Sequence, residues 1–257
     1  MQNFWQTKII SGSTDPFFIL APMEDVTDIV FRGIVRRYNS SEYVLVKTGI
    51  VLDQKVNPEI LFTEFTNCDG MCSAGQSRVI HRLKYDKSER PIIAQIWGRT
   101  PQNYYETAKL CLELGFDGID INMGCPEKNV IRQGCCSALI NNKELAAEII
   151  EAVKKGTENK IPVSVKTRIG FKLIQTEEWY DFLLSLDLDA ITVHGRTVAQ
   201  DELPANWDEI KKVVDMNRER VLDKVKQCWI EGILGKVKTN LNINVICMTE
   251  KYNDSKP

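Results

Sequence analysis

The sequence predicts an α/β fold, a TIM-type (β/α)8 barrel of which about six βα units are recognisable, and three observations lead there. From residue 17 onward, short apolar runs rich in β-branched residues alternate with longer stretches of helical periodicity, the pattern of repeated βα units around a parallel sheet. Polar, chemically capable residues gather at the C-terminal ends of several different strands, which is how a barrel builds a site. No G-x-G-x-x-G follows the first strand, so the main signature of the doubly wound alternative is missing.

The elements follow in order. Phe17–Met23 is an apolar run ending in proline, and a helix is expected over Asp28–Tyr38. A second strand is expected at Tyr43–Thr48 and a helix at Ser77–Leu83. Strand Pro91–Trp97 leads to helix Pro101–Leu114, where Thr100-Pro101 places proline in the first turn. Strand Gly118–Met123 precedes helix Asn142–Lys155, whose capping asparagine stands before the stripe Leu145, Ile149, Ile150 and Val153. Strands Pro162–Ile169 and Ala190–His194 carry helices Glu177–Leu186 and Trp207–Val214. These helices are amphipathic and should cover the sheet.

After Val214 the pattern deteriorates into one basic helix, one candidate strand at Asn242–Met248 and a polar end. Residues 1–214 therefore read as an incomplete barrel domain and 215–257 as a divergent segment.

Composition narrows the class. The 257 residues include 33 basic and 35 acidic side chains, a formal charge of −2, so any nucleic-acid contact must be a local basic face. No apolar run reaches the roughly 18 residues of a membrane span, and MQNFWQTKII does not read as a signal peptide, so a cytoplasmic protein without membrane contact is expected. Eight cysteines without repeated paired spacing then read as reduced thiols. Cys68 and Cys72 lack a partner pair at finger-like spacing, and no metal is expected.

The richest chemistry lies in Asp120-Ile-Asn-Met-Gly-Cys-Pro126. Cys125, held between a strand end and a proline, reads equally as an acid or nucleophile and as a buried structural thiol, while Cys111, Cys135 and Cys136 read as structural thiols. Lys166 and Arg168 alternate on one face of an otherwise apolar strand, either facing a partner at a barrel mouth or lying on a solvated edge. His194 begins His-Gly-Arg-Thr at the next strand end and reads equally as a ligand-facing or a core histidine. With Gln95 and the Pro22-Met23 turn, this set suits a flat, electron-poor heterocycle that takes up negative charge on reduction.

Five ordered motifs, Ala21-Pro-Met-Glu-Asp-Val-Thr-Asp28 with Phe31-Arg32, Gln95-Ile-Trp-Gly98, Asp120–Pro126, Lys166-Thr-Arg168 and His194-Gly-Arg-Thr197, resemble the tRNA-dihydrouridine synthase family over about 200 positions. The resemblance implies an FMN-dependent barrel that reduces the C5–C6 bond of a uridine in tRNA, with NADPH as reductant. It implies Cys125 as proton donor to C5, Pro22 and Met23 packed on the flavin, and Gln95, Lys166 and His194 at its polar edge. Asn122, Arg168 and Arg196 would address a flipped-out uracil. The partners are then tRNA and NAD(P)H, and a monomer is favoured.

Members of the family continue with a strand ending Asn-Gly-Asp, a Gly-Arg phosphate site and a helical tRNA-binding domain, and none of these motifs is recognisable after Ile210. Two alternatives therefore stand beside the synthase reading. One is a remnant or RNA-binding module without flavin; the other is an FMN barrel reductase acting on a small molecule.

Overall fold

A computed structural model of the chain describes residues 19–39, 58–200, 203–230 and 244–247. The described strands are β1 (Ile19–Leu20), β2 (Ile60–Phe62), β3 (Thr66–Asn67), β4 (Ile92–Trp97), β5 (Gly118–Met123), β6 (Val163–Arg168), β7 (Ala190–His194) and β8 (Asn244–Cys247). They form one sheet in the order β1-β2-β4-β5-β6-β7-β8, with β3 beside β4, and every pairing is parallel. The main helices are α1 (Ile29–Asn39), α2 (Cys68–Met71), α3 (Gln76–Val79), α4 (Pro101–Glu113), α5 (Lys128–Arg132), α6 (Lys143–Gly156), α7 (Thr176–Leu184) and α8 (Trp207–Ile230).

Strand alternation divides the buried residues into two sets. Ile92, Ala94 and Ile96 of β4, Ile119, Ile121 and Met123 of β5, and Val163 and Val165 of β6 face the helical layer. There they meet Tyr104 and Cys111 of α4, Ile149 and Val153 of α6, and Trp179 and Leu183 of α7. Each aliphatic side chain fully buried in this layer contributes about 1.5–3 kcal/mol. The other face holds a smaller cluster, Ile60, Phe62, Ile93 and Ala190 with Ile19 against it, drawn from β1, β2, β4 and β7. Side chains from strands so far apart in the order can touch only if the sheet curls around them, which is a barrel interior.

Three helix features follow directly from sequence. Pro101 occupies the first turn of α4, and the Asn142 Oδ1 accepts from Leu145 N at 3.1 Å to cap α6. At the other end of α6, Gly156 lies against α4. A Cβ there would strike the Tyr105 carbonyl and come within 2.9 Å of the Ala108 Cβ. Gly156→Ala is therefore expected to destabilise the protein by about 1–3 kcal/mol through overpacking. In urea it should lower the unfolding midpoint without changing the slope; an unmoved midpoint would show that α4 and α6 separate at no cost.

Several expectations change. The strand expected at Tyr43–Thr48 falls outside the described residues; β1 pairs with Ile60–Phe62, a segment whose polar neighbours Thr63, Glu64 and Thr66 mask its strand pattern. Those polar residues are buried, so the interior of the barrel is only partly apolar and the hydrophobic signal weakens. The helix expected over Ser77–Leu83 divides into α3 and a 3-10 turn at Ile80–Leu83. The last helix runs to Ile230 rather than Val214, since no glycine or proline interrupts residues 215–230. Asn244–Cys247, within the expected strand Asn242–Met248, pairs with β7 at Ala190↔Asn244 and Val193↔Cys247.

Candidate functional site

The interior face becomes polar toward the C-terminal ends of the strands. Register aligns Gln95, Asp120, Ser164 and Ala190 in one row, Asn122, Lys166 and Thr192 in the next, and Arg168 with His194 above them. Each row is two residues further along its strand, so all point inward.

The turn after β1 is built from local bonds. Met23 N donates to the Thr27 Oγ1 at 2.9 Å, and the Thr27 hydroxyl and N–H both return to the Met23 carbonyl, at 2.9 and 3.0 Å. Asp25, at φ +57, is held by its N–H to the Glu64 Oε1 at 2.8 Å, and Arg82 pairs with Glu24 at 2.6 Å. The result presents Met23, 40% exposed despite its apolar side chain, with Pro22 half-buried beside it.

The turn after β5 holds Cys125. Asn122 Oδ1 accepts from both Gly124 N and Cys125 N at 3.0 Å, and Ser137 donates to the Cys125 carbonyl at 2.7 Å. The thiol is half-buried and its pKa is lowered to about 7. The Cys136 thiol, hydrogen-bonded to it, is the largest cause; burial opposes it and the Glu127 N–H assists. Cys136 is fully buried, and its own pKa is raised well above the ordinary thiol range, chiefly by desolvation. Of the two sulfurs, Cys125 ionises first. Cys136 also sits at φ +52, an unusual left-handed conformation for this residue type.

Arg168 straps two turns together, donating from Nε to the Gly124 carbonyl at 2.7 Å and from Nη1 to the Thr197 carbonyl at 3.0 Å. Lys166 and His194 are half-buried, while Arg196 is buried in the turn after β7. His194 has its pKa pushed down to about 3 by burial first, then by the charges of Arg168, Lys166 and Arg196. The imidazole is therefore neutral throughout the physiological range.

Of the expected site residues, Pro22, Met23, Cys125 and His194 stand at strand ends and Lys166 in the second half of β6, all with partial exposure. Gln95 and Asn122 line the wall with both amide ends bonded to protein, and Arg168 spends two donors on carbonyls. Asp120 and Ser164, in the row of Gln95 and one below Asn122, hold that wall, and Cys136 and Ser137 back the thiol; sequence reasoning gave none of these four a part in the site. Period-two alternation from Asn122 and Lys166 points to Asp120 and Ser164, whereas nothing local separates Cys136 from Cys135.

An exposed thioether, a half-buried cation and a neutral imidazole, all toward the C-terminal ends of strands, are groups that can hold a flat, electron-poor ring. Among the described residues no group of three or more His, Cys, Asp or Glu side chains could hold a metal ion, and no helix is long and apolar enough to cross a membrane.

A family model described as dihydrouridine synthase matches residues 19–222. The chain is 39% identical over 256 residues to a probable tRNA-dihydrouridine synthase of Staphylococcus aureus strain COL, covering 98% of this chain and 68% of that one. It is 40% identical over 220 residues to the probable tRNA-dihydrouridine synthase 2 of Bacillus subtilis strain 168, covering 83% of this chain and 60% of the other. A histamine dehydrogenase from Rhizobium sp. 4-9 superposes on 77% of this chain and 38% of its own, with a TM-score of 0.50 and 11% identity, a likeness of fold alone.

Proposed function

The chain belongs to the dihydrouridine synthase family, and from that premise we propose that it reduces the C5–C6 bond of a uridine in tRNA, with FMN as its flavin and NADPH as reductant. The observation that carries the reading is Cys125. It is a half-buried thiol on a turn fixed by three hydrogen bonds, at the mouth that Lys166 and His194 also line.

When bound, the flavin supplies the hydride that adds to C6 of the uracil. Met23 and Pro22 would hold the ring face and exclude water from one side. Lys166 would offer a fixed positive charge to the ring's polar edge, and neutral His194 would add a hydrogen bond without a second cation. Gln95 backs that edge from within the wall. Cys125 gives its proton to C5, completing the addition across the double bond. Arg196, beside Arg168, addresses the carbonyls of the extruded base. A tRNA substrate and an NADPH supply support a cytoplasmic location for this reaction.

The acidity of Cys125 gives the reading a pH signature. A proton donor must be protonated, and its protonated fraction falls as pH rises through about 7. Single-turnover reduction of tRNA should therefore decline above pH 7, approaching tenfold per unit. Cys136→Ala removes the largest acidifying contact and should carry this limb upward toward the ordinary thiol range. A limb that stays in place would assign it to another group.

The direct test incubates the chain with FMN, NADPH and tRNA that lacks dihydrouridine. Dihydrouridine in the recovered tRNA is the expected result; a folded, flavin-loaded sample that bleaches with NADPH but leaves the tRNA unchanged overturns the reading.

A further inference from the structure

Beneath Cys125 lies a chain of buried hydrogen bonds with one allowed polarity. Ser164 Oγ donates to the Asp120 Oδ1 at 2.6 Å, and Gln95 Nε2 donates to the Asp120 Oδ2 at 2.6 Å. Asn122 Nδ2 donates to the Gln95 Oε1 at 3.1 Å, which leaves Asn122 Oδ1 to accept from Gly124 N and Cys125 N. All four side chains are buried.

A carboxylate only accepts, so the end of Gln95 facing Asp120 must be its NH2 group. The opposite end is then a carbonyl, which only accepts and therefore turns the NH2 of Asn122 toward itself. Only with that orientation does an oxygen face the two N–H groups of the turn. Reversal of either amide would set NH2 against N–H and leave buried donors unpaired. We propose that Gln95, oriented by Asp120, is a positioning residue that fixes the Asn122 amide and, through it, the turn that aims the Cys125 thiol. Its catalytic meaning rests on Cys125 as the proton donor.

Substitution at Gln95 distinguishes this role from simple packing. Gln95→Met fills similar volume but accepts nothing from Asn122. Gln95→Glu keeps an oxygen for Asn122 and shares a proton with Asp120. A positioning role makes Met the damaging change and Glu the mild one, whereas a packing role reverses the order, because Glu buries a second acid.

The readout is alkylation of Cys125 by iodoacetamide in the full chain, followed across pH by the mass of its peptide, without flavin, NADPH or tRNA. The groups facing the sulfur, Cys136, Glu24 and Glu127, are unchanged in these variants. In Gln95→Met the pH midpoint should rise by about two units, toward the ordinary thiol range, and the rate at pH 7 should fall about fivefold. The fall follows from a smaller thiolate fraction partly offset by greater nucleophilicity. Gln95→Glu should stay within about twofold of the unaltered chain. Asn122→Ala, which cuts the relay next to the turn, should slow Cys125 as much as Gln95→Met does.

A rate and midpoint in Gln95→Met equal to those of the unaltered chain, or Gln95→Glu slower than Gln95→Met, overturns the proposal. An unchanged rate in Asn122→Ala overturns it however the Gln95 variants fold. Since no cofactor or substrate enters the assay, its failure leaves the proton-donor reading standing, and the reverse also holds.

Discussion

Cys125→Ala is expected to reduce dihydrouridine formation by at least about a hundredfold while NADPH continues to bleach the flavin at its original rate. The two half-reactions separate because they use different groups. Reduction of the flavin needs the ring to be held, the role proposed here for Met23, Lys166 and His194. Addition of a proton to C5 needs an acid on the face of the uracil, and Cys125 is the ionisable side chain of the turn between Gly124 and Pro126. Alanine leaves the turn intact, since the bonds to Asn122 and Ser137 use the backbone N–H and carbonyl of residue 125. Cys125→Ser should be as inactive as alanine, because a hydroxyl at that place is far too weak an acid. Equal loss of both half-reactions would remove Cys125 from the proton step and make it a structural part of the flavin site.

The second large effect concerns stability. Glu89→Ala is expected to cost about 3–5 kcal/mol, lowering the thermal midpoint by roughly 6–20 °C. Arg32 Nε lies 2.6 Å from the Glu89 Oε2, and both side chains are almost entirely buried. Arg32 also donates to the Thr27 carbonyl at 2.6 Å and the Lys84 carbonyl at 2.8 Å. Removal of the carboxylate leaves a guanidinium in a dry environment without its counterion. The same guanidinium holds Thr27, and Thr27 holds Met23, so the damage should reach the presented methionine and weaken flavin retention. The double variant Arg32→Met with Glu89→Leu removes both charges and should recover much of the loss, since a buried pair replaced by apolar groups is often neutral. A single variant that melts within about 2 °C of the unaltered chain would mean that water reaches Arg32.

Much of this protein is legible in its sequence. The apolar runs Pro91–Trp97, Gly118–Met123 and Ala190–His194 reflect burial between helices and interior, a local imprint on each strand, and their alternation with helical stretches gives the parallel order. The placement of Cys125, Lys166 and His194 at strand ends was equally visible, because a polar residue within an apolar strand needs a reason to be there.

Other features arose only when distant segments met. Ile60–Phe62 becomes a strand because Ile19 on one side and Ile92 and Ile93 on the other supply its partners, although its own residues alternate poorly with their polar neighbours. Cys135 and Cys136 are adjacent and chemically identical, yet only Cys136 bonds the Cys125 thiol and acidifies it. Gln95 and Asp120 are 25 residues apart, and Asp120 and Ser164 are 44 apart. Periodicity records how much water each residue meets, a property the chain carries locally. Hydrogen-bond polarity and thiol acidity depend on which groups lie within about 3–4 Å, and only the folded barrel brings those groups together.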